Sequence, residues 1–178
     1  GIYRTTEVAA YRAGQPPAVD GNLAEWAGVP AYTLNADRAW RVLYDVPAPL
    51  DASATLQAAW DDAALYLAVH VYDDSIKVDS GAKPWLDDVI EVGVDGLHDH
   101  QRDWGAQGDR QFTVTALGGT FESGQPVAGL TVAHATTANG YILEIAIPRA
   151  NLGTIPVTAG GVIGLNWALI DDDDGGNA

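Results

Sequence analysis

Apolar and polar residues alternate with a period of two through most of this chain, in short runs bounded by Gly, Pro, Asp and Asn. Ala54 to Trp60 is one such run, and Ala64 to Tyr72 follows it after Asp61-Asp62, an Asp pair that predicts a hairpin turn. Asp88 to Asp95 and Arg110 to Leu117 predict two further strands. Gly129 to Thr136 and Gly140 to Pro148 predict another hairpin, and Gly161 to Ile170 a last strand. Near the start, Glu7 to Arg12 predicts a strand, and Leu34 to Tyr44 a less regular one. No helical stripe runs beyond about ten residues. The best helical candidate is a single turn at Leu23 to Ala27, after the Asp20-Gly21 turn. Strands at this spacing with no helices between them predict an all-β fold, a two-sheet antiparallel β-sandwich of jelly-roll-like form.

Composition narrows the partners. The 178 residues suit one domain, which at this size buries roughly 70% of the surface its unfolded chain exposes. With 47% hydrophobic and 19% charged residues the chain is globular rather than disordered. Lys and Arg number 9 against 24 Asp and Glu, a net charge of −15. That charge repels the phosphates of nucleic acid and the surface of an anionic membrane. Cations, neutral sugars and basic proteins remain as partners. There is no cysteine, so disulfides and thiolate metal sites are excluded. No run of about 18 apolar residues could span a bilayer. A chain that opens Gly-Ile-Tyr and lacks methionine is expected to be a processed, secreted protein, outside the cell or on its surface.

The ordered local motifs are more specific. Pro17 to Trp26, Trp60-Asp61-Asp62 with Leu65-Tyr66-Leu67, Val71 to Asp74, Pro84 to Glu91, Gln111-Phe112, Gly140 to Pro148 and Ile163 to Asn166 follow one another along the chain. In this order they resemble the family 9 carbohydrate-binding modules and their DOMON-like relatives, over roughly residues 6 to 174. The resemblance implies a two-sheet sandwich that binds the ends of glycan chains and carries structural calcium. Relatives of this fold include haem-binding and sensor-like domains, so fold alone does not assign function. Two positions depart from the family's sugar binders. The chain ends where a last strand would bring a second aromatic wall, and Thr113 stands where an arginine is found.

The chemistry of single residues points the same way. Trp85, on a loop after Lys83-Pro84, offers a flat apolar face to a pyranose, with Asp88, Glu91 and Gln111 as polar contacts. Trp26 and Trp60 are expected in the core, and Trp104 in a polar loop is expected to be exposed. Aspartates cluster at turns, and four adjacent ones at Asp171 to Asp174 repel strongly unless a cation lies among them. Calcium, with its irregular oxygen coordination, is the expected ion, held by Asp20, Asp62, Asp73, Asp171 and Asp173. His98 and His100 lie in a polar loop and are expected to be surface residues. Asp88 and Glu91 are three apart on one strand and point to opposite faces, so they cannot serve as a glycosidase pair. No serine has the setting of a nucleophile, and the domain is expected to be non-catalytic. A rival expectation is a structural subunit of an extracellular filament or tubule. Residues 1–8 would be a donor strand filling the open edge of a neighbour's 9–178 sandwich, with calcium locking the joint of the homopolymer.

Overall fold

The computed structural model describes residues 8–37, 48–99, 109–152 and 158–173. Among them the strands form two sheets. The first contains β1 (Tyr11–Arg12), β2 (Tyr32–Leu34), β3 (Ser53–Trp60), β4 (Ala64–Tyr72), β9 (Thr131–Thr137) and β10 (Gly140–Pro148), in the order β1-β3-β4-β10-β9 with β2 also on β3. The second contains β5 (Val89–Asp95), β6 (Asp109–Thr115), β7 (Thr120–Glu122), β8 (Gln125–Pro126) and β11 (Gly164–Ile170), in the order β11-β5-β6-β7-β8. Among the described residues only the short β1–β3 pair is parallel. The architecture is the expected all-β sandwich. Among the described residues no helix is long and apolar enough to cross a membrane.

Period-two alternation decides which residues meet between the sheets. Leu56, Leu67, Val69, Leu143 and Ile145 face inward from the first sheet, and Ile90, Val92, Phe112 and Val114 from the second. All are at most 1% exposed, and burying one such side chain stabilises the fold by about 1.5–3 kcal/mol. The outer face of the first sheet is also covered. There Ala59, Tyr66, Ala68 and Ala146 pack against Trp26, with Val19, Leu23 and Val29 around it. The 3₁₀ turn Leu23–Trp26 is pinned by Glu144, a carboxylate only 1% exposed. Its Oε2 accepts from the N–H groups of Asp20 (3.0 Å), Gly21 (2.6 Å) and Asn22 (3.2 Å), and its Oε1 from Trp26 Nε1 (2.8 Å). A buried carboxylate is tolerable only with such a set of donors.

The structure differs from expectation in the extent of the early strands and in one added hairpin. The β4 and β10 bounds are those the alternation predicts, while β1 is limited to Tyr11–Arg12 and β2, at Tyr32–Leu34, precedes the expected Leu34–Tyr44 strand and shares only Leu34 with it. Residues 38–44 of the predicted Leu34–Tyr44 strand, along with His100, Trp104 and Asp174, lie outside the described residues. Of the expected donor segment 1–8, residues 1–7 also lie outside them, and Val8 packs against the core. The hairpin of β7 and β8 was not expected, because strands of 3 and 2 residues are too short to display a period. Among the described residues β11 pairs only with β5.

Candidate functional site

The outward-facing residues of the second sheet form the first candidate site. Register places Glu91 opposite Thr113 and Ala168, and Gln111 opposite Gly93. Trp85 lies beside them on the 3₁₀ turn Pro84–Leu86 and is 44% exposed, the highest exposure of any described tryptophan. With Ser123 and Gly124, these residues line a solvent-open cavity of about 150 Å³ (Trp85, Glu91, Gln111 and Thr113 forming the rest). Glu91 is held by two donors, Gln111 Nε2 to its Oε2 (3.1 Å) and Thr113 Oγ1 to its Oε1 (3.5 Å). Each carboxylate oxygen keeps further acceptor capacity for a hydroxyl. The cavity is well below the roughly 300–1,000 Å³ of a drug-sized pocket and suits one ring-sized polar ligand. A larger groove of about 660 Å³ runs along Arg12–Pro16 and Asp61–Ala63, but no aromatic ring lines it.

The second candidate site closes one end of the core. In β4 the inward stripe ends at Val71, in β5 it begins at Ile90, and in β11 it ends at Leu169. One further step of two residues gives Asp73, Asp88 and Asp171. β11 runs antiparallel to β5, so its end lies beside the start of β5, and the end of β4 in the facing sheet meets them there; the carboxylate oxygens of all three aspartates lie within 4.8 Å of one another. Asp171 also groups with Asp51 and Asp173 within the same distance.

Asp73 is 4% exposed. Its Oδ1 accepts from Ser75 N–H (2.7 Å), while its buried Oδ2 has no hydrogen-bond partner among the described residues. Asp88 is 1% exposed and accepts from Lys77 N–H and from Asp172 N–H (2.6 Å). Lost hydration pushes the Asp88 carboxyl up to about 7, more than its two N–H donors offset, with Asp73 and Asp172 adding to the rise. Asp171 is likewise pushed up to about 7, by lost hydration and then by Asp73, Asp173, Asp88 and Asp51. Tyr141, fully buried beneath the cluster, is raised by burial and by the charges of Asp88, Asp73 and Asp171. Two more aspartate trios, Asp79-Asp87-Asp172 and Asp95-Asp99-Asp109, have similar spacing.

The structure therefore regroups the expected residues. Trp85, Glu91 and Gln111 come together around one cavity. Asp88 does not join them. It shares the inward parity of Ile90 and Val92, so its carboxylate lies in the core-end cluster and not on the outer face. Asp73, Asp171 and Asp173 do converge, but Asp20 and Asp62 lie apart from them. Asp20 Oδ1 accepts from Asn22 N–H (2.9 Å) in the loop over the first sheet, and Asp62 pairs with Arg12 (3.2 Å). Asp51 and Asp88 are the cluster members sequence reasoning left out, although the inward parity of Asp88 was available. Trp26 is 2% exposed, as expected of a core residue, and Trp60 packs against the main core.

Comparison with known proteins gives a concordant set of likenesses. A family model described as "Carbohydrate family 9 binding domain-like" matches residues 19–178. The chain is 31% identical over 166 residues to Exoglucanase XynX of Acetivibrio thermocellus, covering 90% of this chain and 14% of that protein. It is 28% identical over 158 residues to Endo-1,4-beta-xylanase A of Thermotoga maritima, covering 84% of this chain and 14% of that protein. The chain thus spans about a seventh of the length of these relatives. Among solved structures, a family 9 carbohydrate-binding module from Caldicellulosiruptor kristjanssonii in complex with cellotriose superposes with a TM-score of 0.74 at 19% identity. That match covers 94% of this chain and 78% of the other. The same module in complex with glucose gives a TM-score of 0.73 at 20% identity, with the same coverage. At this identity the superpositions establish the fold.

Proposed function

This chain belongs to the carbohydrate family 9 binding-domain-like family, and from that membership we propose that it is an extracellular, non-catalytic module that binds a neutral glycan at Trp85 and is stabilised by calcium. The carrying observation is the half-exposed Trp85 ring beside the polar trio Glu91, Gln111 and Thr113. An aromatic face takes the apolar C–H side of a pyranose, and the trio accepts and donates at its hydroxyls. The relatives named as an exoglucanase and xylanases point to β-1,4-linked glucan or xylan as the ligand class. Calorimetric titration with cellotriose and xylotriose tests this reading; failure of both, and of a wider glycan array, would overturn it.

Calcium rests on separate observations. Three carboxylates within 4.8 Å, one with a buried oxygen that has no partner among the described residues, form an oxygen-rich set whose proton affinities are raised by other aspartates. Like charges buried together are strongly unfavourable without a cation or protons among them. Asp73, Asp88 and Asp171 would hold the ion, with Asp51 and Asp173 at the rim. A hard divalent cation bound there would neutralise the cluster and tie the ends of β4, β5 and β11 together.

Among the described residues β11 is paired on one side only, and this supports a second reading, in which copies assemble through its other side as subunits of a filament or tubule. Electron microscopy of concentrated protein in millimolar calcium tests it. Particles that stay monomeric refute it.

A further inference from the structure

The β7–β8 hairpin bears directly on Trp85. Glu122 pairs with Gln125, leaving Ser123-Gly124 as a two-residue loop with φ of +51° and +73°. Both values are left-handed, the pattern of a type I′ turn. The hairpin is fixed from behind. Glu122 receives both the Nε and, at 2.7 Å, the NH2 group of Arg110, whose NH1 also donates to Asn151 O at 3.0 Å. The tip thus stands on β6 and a bidentate ion pair, whereas Trp85 stands on a half-exposed 3₁₀ turn.

Between the two there is no room for a side chain. A Cβ at Gly124 would lie 2.6 Å from Trp85 Cζ3 and 3.5 Å from both Cε3 and Cη2. These three atoms belong to the six-membered ring of the indole, so the bare Gly124 Cα forms the surface against which that ring rests. Any added methyl must displace either the hairpin or the indole. Of the two, the indole is held less firmly.

We infer that Gly124 is a positioning residue of the glycan site, a back-stop on the β7–β8 hairpin that sets the tilt of the Trp85 platform over Glu91 and Gln111. The glycan part of this inference rests on the reading above; the contact between Gly124 and Trp85 stands independently of it. The hairpin is then a working part of the site although neither loop residue need make a strong contact with sugar. A side chain at position 124 would swing the stacking face away from the polar trio, which holds its place in the sheet.

Two variants test this. Gly124→Ala adds the methyl but also strains a left-handed backbone. Gly124→Asn adds a Cβ with a residue that tolerates positive φ, so its hairpin is expected to fold. Gly118→Ala, at φ +82° in the neighbouring β6–β7 turn with His134 and Val132 as its contacts, controls for turn strain away from Trp85. The protein is labelled with ¹⁵N at the tryptophan indole nitrogen, which leaves the ring's shape unchanged, and the Trp85 resonance is assigned by its loss in Trp85→Phe. Gly124→Asn should move that resonance and weaken cellotriose binding roughly tenfold, the scale of one stacked aromatic contact. Gly118→Ala should change neither. If Trp85→Ala abolishes binding while Gly124→Asn leaves both affinity and resonance as in the wild type, the inference falls and the glycan reading survives. If the wild type binds no glycan but the resonance moves in Gly124→Asn alone, the glycan reading falls and the positioning contact survives.

Discussion

Chelation at pH 8 leaves Asp73, Asp88 and Asp171 facing one another within 4.8 Å without a divalent ion among them. The size and sign of the consequence follow from their proton affinities. Asp88 rises from 3.8 to about 7 on folding, and one pKa unit is worth about 1.4 kcal/mol. Complete ionisation would then cost about 4 kcal/mol, and about half of that once solvent screening at the open rim is allowed for. Asp171 is coupled to the same charges and is not added separately.

Because the folded pKa lies above the unfolded one, the folded state holds the proton more tightly. The associated stability is fully present below about pH 4 and is lost as pH rises through about 7. About two-thirds of that stability is lost between pH 5 and pH 8, so in excess chelator Tm should fall there by about 3–5 °C, at roughly 2–4 °C per kcal/mol for a chain of this length. Calcium at 100 times its Kd would restore about 2.7 kcal/mol at pH 8. Its effect should be smaller at pH 5, where protons compete for the same oxygens. Asp73→Asn sharpens the test, since it removes charge at the buried Oδ2, which has no partner among the described residues. In chelator at pH 8 this variant should melt at least as high as the wild type, yet gain nothing from calcium. Differential scanning calorimetry across the pH series reads all of these changes. Superimposed wild-type curves in chelator and in millimolar calcium at pH 8 would refute the reasoning, as would a full calcium response in Asp73→Asn.

Other expectations concern separate parts of the molecule. Trp85→Ala should abolish measurable cellotriose binding in affinity electrophoresis while leaving Tm within about 1 °C, since the ring is half-exposed; retained binding would place the sugar elsewhere. Glu144→Gln turns an N–H group toward the donors of residues 20–22 and should lower stability by about 3 kcal/mol in urea denaturation. A loss below about 0.5 kcal/mol would mean that Glu144 does not hold the loop over the first sheet. The isolated domain should release no reducing ends from xylan or cellulose, and sustained release would contradict a binding-only module.

Local sequence determined the strands wherever they are long enough for alternation to repeat. The bounds of β4 and β10 follow directly from which side chains are apolar, because a period of two fixes which face enters the core. The same rule carried the separation of Asp88 from Glu91, and extended by one step it places Asp73, Asp88 and Asp171 at the ends of inward stripes. It could not say that those three stripes finish at the same end of the sandwich. That depends on which strands pair across residues 73 to 171, a long-range matter that no local pattern encodes. Hence the aspartates of the turns, Asp20 and Asp62, looked no different in sequence from those of the cluster, although the fold holds them apart. Glu144 is similar: an unremarkable outward position on β10, until the 3₁₀ turn of Leu23–Trp26 lies across it and buries its carboxylate. Trp85 was legible as an aromatic residue on a loop. The wall behind it was not, because Gly124 reaches it only through a hairpin of 3- and 2-residue strands whose placement is fixed by pairing with β6 and by Arg110. Tertiary pairing brings those distant groups within contact distance, and contact distance decides which carboxylates share charge and which ring has a support.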